Sequence, residues 1–222
     1  MIYITGDTHG DIDYKKLLTL KKKKLSYSDY LIICGDAGIC WSQGTFQHFL
    51  DLYNDIGCTI IFIDGNHENF EMLNQFPLVD YLGALMHRID KHIFHILRGE
   101  IVTINSKTFL CIGGAVSIDK MYRIPYVSWW PEEEITYHDV DNAIANLEKV
   151  DYKVDYVITH CCDSKTVMKE FGFKRDICTD QLNFIDKAVN YKYWFFGHYH
   201  FDRQIGKKKR CLYQDIIELD NN

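Results

Sequence analysis

The sequence predicts an α/β architecture in which two β-sheets pack face to face and are flanked by helices. Three observations predict it. Short apolar runs alternate with helical stretches in the N-terminal third, short runs separated by turn residues fill the middle, and apolar runs interleaved with helical stretches return towards the C-terminus. Most of these runs deliver a glycine or small residue next to Asp, Asn or His.

Met1-Ile2-Tyr3-Ile4-Thr5 reads as a first strand, because an unbroken apolar, β-branched run suits a strand buried on both faces. A helix is expected from the Asp11 region through Leu20. Tyr30-Leu31-Ile32-Ile33-Cys34 is a second strand, residues 45–55 a helix, and Thr59-Ile60-Ile61-Phe62-Ile63 a third strand. Strands spaced by helical segments imply a parallel sheet with right-handed crossovers. Residues 92–97, 101–104 and 108–111 are short runs divided by turn residues, which suggests an antiparallel meander closed by Gly113-Gly114-Ala115. Helical periodicity returns over residues 131–149, with Ile135, Val140, Ala143, Ile144 and Leu147 on its apolar face. Val154-Asp155-Tyr156-Val157-Ile158-Thr159 is another strand, and helices follow around residues 164–171 and 179–191. Lys192-Tyr193-Trp194-Phe195-Phe196 is a strand, Lys207-Lys208-Lys209-Arg210 a hairpin turn, and residues 211–219 a final run that finishes a sheet.

A chain of 222 residues can bury a sizeable core, and without a Pro/Gly/Ser-rich linker or a repeat, one domain over residues 1–222 is expected. A formal net charge of -6 argues against a nucleic-acid coat protein, whose binding rests on a cationic surface. None of the eight cysteines forms a C-x-x-C pair, so a structural zinc knuckle is unsupported. Cys34, Cys58 and Cys111 lie in or beside apolar runs and are expected as buried free thiols. A strand starting at Met1 leaves no room for a signal peptide, and no apolar stretch approaches the roughly 20 residues needed to span a bilayer. A reducing cytoplasm and no membrane partner are the expectation.

Five islands carry the chemistry: Gly6-Asp7-Thr8-His9-Gly10, Gly35-Asp36, Gly65-Asn66-His67-Glu68, Thr159-His160 and Gly197-His198-Tyr199-His200. Polar residues that emerge at strand ends lie where α/β sheets form their sites. Asp7, His9, Asp36, Asn66, His160, His198 and His200 together supply the oxygen and nitrogen donors needed to hold two divalent metal ions side by side. Carboxylate, imidazole and carboxamide donors suit Mn²⁺ first, with Fe, Zn, Co, Ni or Mg also accommodated. Asp36, the single donor of its island, is the candidate bridge between ions about 3.5–4 Å apart. His67, beside Asn66, is the candidate proton donor to a leaving group.

In their order, D-x-H, G-D, G-N-H-E, H and G-H-x-H, these islands resemble the calcineurin-like metallophosphoesterase superfamily over residues 5–200. The resemblance implies a four-layer αββα sandwich of two mixed β-sheets flanked by helices. It implies that Asp7, His9, Asp36 and His200 bind a first metal, that Asp36, Asn66, His160 and His198 bind a second, and that His67 protonates the leaving oxygen. The function expected is hydrolysis of a phosphate mono- or diester of a small molecule, nucleotide or RNA end by a hydroxide bridging the two ions. A phosphoprotein phosphatase, or a catalytically silent binding scaffold on the same fold, are the alternatives.

Two departures from the protein phosphatases of that superfamily bear on the substrate. Those carry an arginine after G-D, in G-D-x-x-D-R-G, and another before G-N-H-E. Here Ala37-Gly38-Ile39-Cys40-Trp41 follows Asp36 and Asp64 precedes Gly65, so both arginines and the acidic partner of His67 are missing. Residues 117–130 hold Asp119, Lys120, Arg123, Trp129 and Trp130 in a segment too long for a mere connector. Arg123 is the candidate replacement for the phosphate clamp, and an aromatic there could stack on a base. Lys21–24 is read as a solvated helix end, and His48, His87, His92, His95 and His138 as surface or structural residues.

Overall fold

The computed structural model describes residues 1–219. Its elements run β1 (Ile2–Thr5), a 3₁₀ turn leading into α1 (Leu18–Lys21), β2 (Tyr30–Ile33), α2 (Gln43–Asn54), β3 (Thr59–Phe62) and α3 (Phe70–Leu73). There follow β4 (Leu78–Tyr81), β5 (Ala84–Asp90), β6 (Ile93–Ile96), β7 (Glu100–Ile104), β8 (Lys107–Ile112), α4 (Tyr137–Glu148) and β9 (Tyr156–Thr159). The chain closes with α5 (Ser164–Thr166) and a π-helical turn, α6 (Ile177–Ala188), β10 (Tyr193–Phe196), β11 (Arg203–Ile205), β12 (Lys209–Cys211) and β13 (Ile217–Leu219).

These strands form two mixed sheets, one in the order β13-β1-β2-β3-β6-β5-β4 and one in the order β11-β12-β10-β9-β8-β7. β1, β2, β3 and β6 are mutually parallel, as are β8, β9, β10 and β12. Alternation along each central strand explains the layering. Ile2, Ile4, Ile32 and Ile61 face Val102, Phe109, Ile158 and Phe195 across the gap between the sheets. Tyr3, Leu31, Ile33 and Ile60 face outward onto Leu17, Leu20, Phe49, Leu50 and Tyr53. On the other side, Leu110, Val157, Trp194 and Phe196 pack against Val140, Ala143, Leu147, Leu182 and Ile185 of α4 and α6. Both faces of the central strands are therefore buried, which is why they read as unbroken apolar runs. The αββα sandwich expected from the sequence is the one observed.

Helix boundaries follow local capping. Ser42 accepts the Thr45 amide at the start of α2, Thr136 and Asp139 form a capping box on α4, and Asp176 accepts the Thr179 amide on α6. The expected helix from Asp11 begins only at Tyr14, as a 3₁₀ turn. Among the described residues no helix is long and apolar enough to cross a membrane.

Two expectations are corrected. The supposed meander is divided between the sheets: β6 joins the first, parallel to β3, whereas β7 and β8 form a hairpin in the second. The expected turn over residues 207–210 is shorter: Lys209 and Arg210 join Cys211 in β12, which pairs with β10, and β13 finishes the first sheet beside β1. Asp202 turns the chain between them by accepting the amides of Tyr213, Gln214 and Asp215 at 2.8, 2.9 and 2.9 Å. The β4–β5 hairpin was not expected. Its two-residue turn, Leu82-Gly83, has φ values of 56° and 80°, and a leucine there carries no recognisable turn signature.

Where the chain crosses from β6 to β7, Arg98 anchors it. Its Nε and Nη2 donate to Asp64 Oδ2 at 2.9 and 2.5 Å, and Nη1 donates to the Glu134 carbonyl at 2.9 Å. Asp64 Oδ1 meets His95 Nε2 at 3.2 Å, and His95 Nδ1 meets His87 Nδ1 at 3.0 Å. His87 and His95 are therefore structural, as expected, and both are buried. Burial works against the Asp64 carboxylate, but Arg98 and His95 outweigh it and hold its pKa well below the usual range.

Arg98→Met should leave Asp64 buried without its cation and lower stability by about 3–5 kcal/mol. Because the folded pKa of Asp64 is depressed, its stabilisation is present above the unfolded pKa of about 3.9 and is lost as pH falls below it. Urea unfolding from pH 7 to pH 3 should show a steeper loss for the wild type than for Arg98→Met, and equal slopes would contradict this role.

Candidate active site

The parallel strands of both sheets end in register on one side of the sandwich. Thr5 pairs with Ile33, Ile33 with Phe62, and Thr159 with both Ile112 and Phe196. The island after each strand thus opens into the same space. Of the seven expected donors, Asp7, His9, Asp36, His198 and His200 sit at positive φ, between 44° and 69°. Such backbone persists only where surrounding contacts enforce it. Two glycines show why small residues punctuate the islands. A Cβ on Gly65 would lie 2.0 Å from Asp36 Oδ1, and one on Gly197 would lie 2.3 Å from Asp7 Oδ2.

All seven residues converge. Asp36 Oδ2 lies 3.2 Å from His9 Nε2 and 3.3 Å from His160 Nε2, and its Oδ1 accepts the His67 amide at 2.7 Å. Asn66 Oδ1 lies 3.1 Å from His160 Nε2 and 2.9 Å from His198 Nδ1. Both oxygens of Asp7 accept the His198 amide at 3.0 Å, and His200 Nε2 is 3.6 Å from Asp7 Oδ1. Asp36 accordingly stands between one set containing Asp7, His9 and His200 and another containing Asn66, His160 and His198.

Electrostatics follow from two buried carboxylates at close quarters. Burial opposes charge on His9, but hydrogen bonding and attraction from Asp36 raise its pKa to about 9. His160 is raised to about 9 for the same reason against the same opposition. Burial and the neighbouring His160 push His198 down to about 3. His67 is lowered by burial, with Arg123 adding to the effect against the pull of Asp36.

Donor atoms of Asp7, His9 and His200, of His9, Asp36 and His67, and of Asp7, Asp36 and His160 each lie within 4.8 Å of one another. Buried carboxylates and imidazoles that range from buried His160 to exposed His200, gathered this closely, fit divalent cations. His160 Nδ1 donates to the Cys34 carbonyl at 2.8 Å. A carbonyl can only accept, so Nδ1 carries a proton, and loss of the other proton from Nε2, which faces Asp36, would leave the tautomer a metal ligand needs. His9 is oriented alike by Asp13 Oδ2, 2.8 Å from its Nδ1.

Several supporting residues escaped the sequence reading. Asp13 could have been found, four residues beyond His9. Lys16, nearly buried, donates to the carbonyls of Gly6, Asp7 and Tyr213, which fixes the first island; burial lowers its pKa to about 8 against the pull of Asp7. Glu68 accepts the Ala37 amide at 2.7 Å and braces the loop after Asp36. Asn66 Nδ2 donates to Ser117 Oγ at 3.1 Å, and Ser117 Oγ donates to buried Glu133 at 2.5 Å. That chain fixes which way the Asn66 carboxamide points. No spacing in the sequence could have linked these residues, because 51 positions separate Asn66 from Ser117.

Arg123 does reach the site. Its Nη1 and Nη2 lie 3.3 and 3.1 Å from His67 Nδ1 and Nε2, and its Nε pairs with Asp119 at 2.9 Å. The tryptophans of that segment differ: Trp130 is core, packed edge-on against Trp41. All eight cysteines are buried and free. Gly114 donates its amide to the Asp64 carbonyl at 3.0 Å, so the Gly113-Gly114 turn packs behind the Asn66 loop. A wider depression at the opposite ends of β8, β9 and β10, lined by Thr108, Asp155 and Lys192, holds none of these residues.

Residues 1–202 match the family model for calcineurin-like phosphoesterases, and the chain belongs to that family, hydrolases acting on phosphate esters. The family implies a dinuclear divalent metal site, and the donors gathered here fit it. The fold is also similar to that of the phosphopantetheinyl hydrolase from Mycobacterium tuberculosis, at 17% identity and a TM-score of 0.52, covering 96% of this chain and 87% of that one. A protein of unknown function from Aquifex aeolicus aligns at 15% identity over 83% of this chain and 92% of that one, with a TM-score of only 0.36. No curated protein matches the chain closely enough to count as a relative.

Ser117→Ala and Glu133→Gln should each free the Asn66 carboxamide to rotate. Divalent-metal affinity, measured by titration, should then weaken by about 10–100-fold with circular dichroism unchanged. Unaltered affinity in both variants would show that the chain does not orient Asn66.

Proposed function

We propose that this phosphoesterase hydrolyses a small phosphorylated molecule, as a mono- or diester, with two divalent ions held by Asp7, His9, Asp36, Asn66, His160, His198 and His200. The observation that carries the reading is the position of Asp36, whose Oδ2 lies between His9 and His160 at 3.2 and 3.3 Å. Such a carboxylate is placed to serve two cations at once. Mn²⁺ is the first candidate by donor chemistry, and the cytoplasm the expected location. Bound there, the ions would lower the pKa of water for attack and neutralise phosphoryl oxygens.

The chain's own groups supply the rest. Asp13 and the Cys34 carbonyl hold His9 and His160 in the tautomer that turns Nε2 inward. Arg123 replaces the two arginines missing from the Asp36 and Asn66 loops, and its guanidinium is placed to meet a phosphoryl oxygen. The same fixed charge disfavours a metal cation on the nitrogens of His67 and, with burial, favours the neutral ring in the free enzyme. An arriving phosphoryl anion offsets the Arg123 charge, which favours the protonated imidazole when the leaving oxygen needs its proton. A single arginine, and no acidic partner for His67, argue for a different substrate from that of the phosphoprotein phosphatases.

Metal content should be close to two ions per chain, and hydrolysis of p-nitrophenyl phosphate or bis-p-nitrophenyl phosphate should require added Mn²⁺. Asp36→Asn should lose metal and turnover together. His67→Ala should keep metal and lose about 10²–10⁴-fold in rate. Arg123→Ala should raise KM on the better ester. Full turnover by Asp36→Asn carrying normal metal would sink the assignment, and metal binding without turnover of any ester would favour the binding scaffold.

A further inference from the structure

A cavity of about 270 Å³ opens beside His67, between that ring and His9 on one side and Ile12, Trp41 and Phe49 on the other. Its walls are set from behind. Trp41 stands 6.5 Å from His67, ring to ring, and packs edge-on against buried Trp130 at 5.9 Å. Phe49 belongs to the core, whereas Ile12 is 75% exposed at the rim. The Ile12 amide donates to the His9 carbonyl at 3.1 Å, which holds the residue at the border of the cavity. Among the described residues no lysine or arginine lines the space, and the one carboxylate there, Asp11, adds negative charge.

The location gives this apolar space a direction. If His67 protonates the leaving oxygen, whatever hangs from that oxygen extends away from His67, and the cavity begins there. Arg123, paired with Asp119, can serve one phosphoryl group. A second or third phosphate on the leaving side would meet Trp41, Phe49, Ile12 and Asp11 with no cation to receive it. An uncharged alcohol would instead bury its carbons against those rings and the isoleucine, gaining about three- to fourfold in affinity for each methylene removed from water.

We propose that this cavity is the leaving-group subsite, and that the substrate is a phosphate ester of an uncharged, predominantly apolar alcohol rather than a nucleoside polyphosphate. The inference rests on the phosphoesterase reading above and deepens it.

Methyl-, propyl- and pentylphosphonate place an alkyl chain where the leaving group would sit. Their dissociation constants for the metal-loaded protein, measured calorimetrically, should fall about three- to fourfold per added methylene until the cavity is filled. Ile12→Asp, a substitution at an exposed position, should flatten that dependence, and Trp41→Ala should do the same. ATP should bind no more tightly than methylphosphonate. If methylphosphonate binds but chain length has no effect, or Ile12→Asp keeps the full dependence, the subsite is overturned while the phosphoesterase reading stands. Tighter binding of ATP than of pentylphosphonate would also overturn it. If no phosphonate binds and no model ester is hydrolysed, both readings fall together.

Discussion

Two carboxylates, Asp7 and Asp36, are buried with donor atoms within 4.8 Å of each other and of His160. Like charges at roughly that distance repel on the order of 4 kcal/mol at an effective dielectric constant near 20, so their convergence must be compensated. In the protein alone the compensation comes from His9 and His160, both drawn to higher pKa by Asp36. Divalent cations meet the same need more fully, since they bring two charges to the point where imidazolium brings one. Much of the surrounding architecture holds these two side chains where solvation alone would never leave them.

That restraint is distributed. Lys16 ties the Gly6-Asp7 backbone to the Tyr213 segment, and Glu68 ties the loop after Asp36 to the Asn66 island. Arg98 and His95 secure Asp64 at the root of that island, and Ser117 with Glu133 secures its tip. Each donor loop is held by residues from other elements, which is what allows five donors to keep positive φ values. The stability of the sandwich and the geometry of the site are consequently one problem, because the strands that bury the apolar layers also fix the heights of the loops.

The Asp36 and Asn66 loops depart most clearly from the protein phosphatases of the superfamily, and the departures have a common sense. Asp64 occupies the position of a lost arginine but turns away from the site, towards Arg98 and His95, where it braces the loop. Ala37 and Gly38 occupy the region of the other lost arginine and offer backbone to Glu68. Arg123, on the segment after β8 of the opposite sheet, places a guanidinium against His67 instead. On the Trp41 side of His67 no lysine or arginine among the described residues lines the space.

The sequence alone determined the sandwich and the candidate donors. Central strands buried on two faces show as unbroken apolar runs, and residues at strand ends show as Gly-polar islands whatever lies between them. It grouped β6 with the wrong neighbours and ran Cys211 of β12 together with β13, because an apolar run does not state which of two sheets it joins; Arg98 and Asp202 hold the chain at those crossings. It missed the β4–β5 hairpin, whose half-exposed strands and Leu82-Gly83 turn carry weak local signals. Lys16, Glu133 and Ser117 could be found only in three dimensions. Their chemistry is a matter of which buried polar atom each one reaches, and partners separated by tens of residues leave no period in the chain. Arg123 fell between the two: its segment was conspicuous, but only the tertiary structure decided that its guanidinium lies across His67.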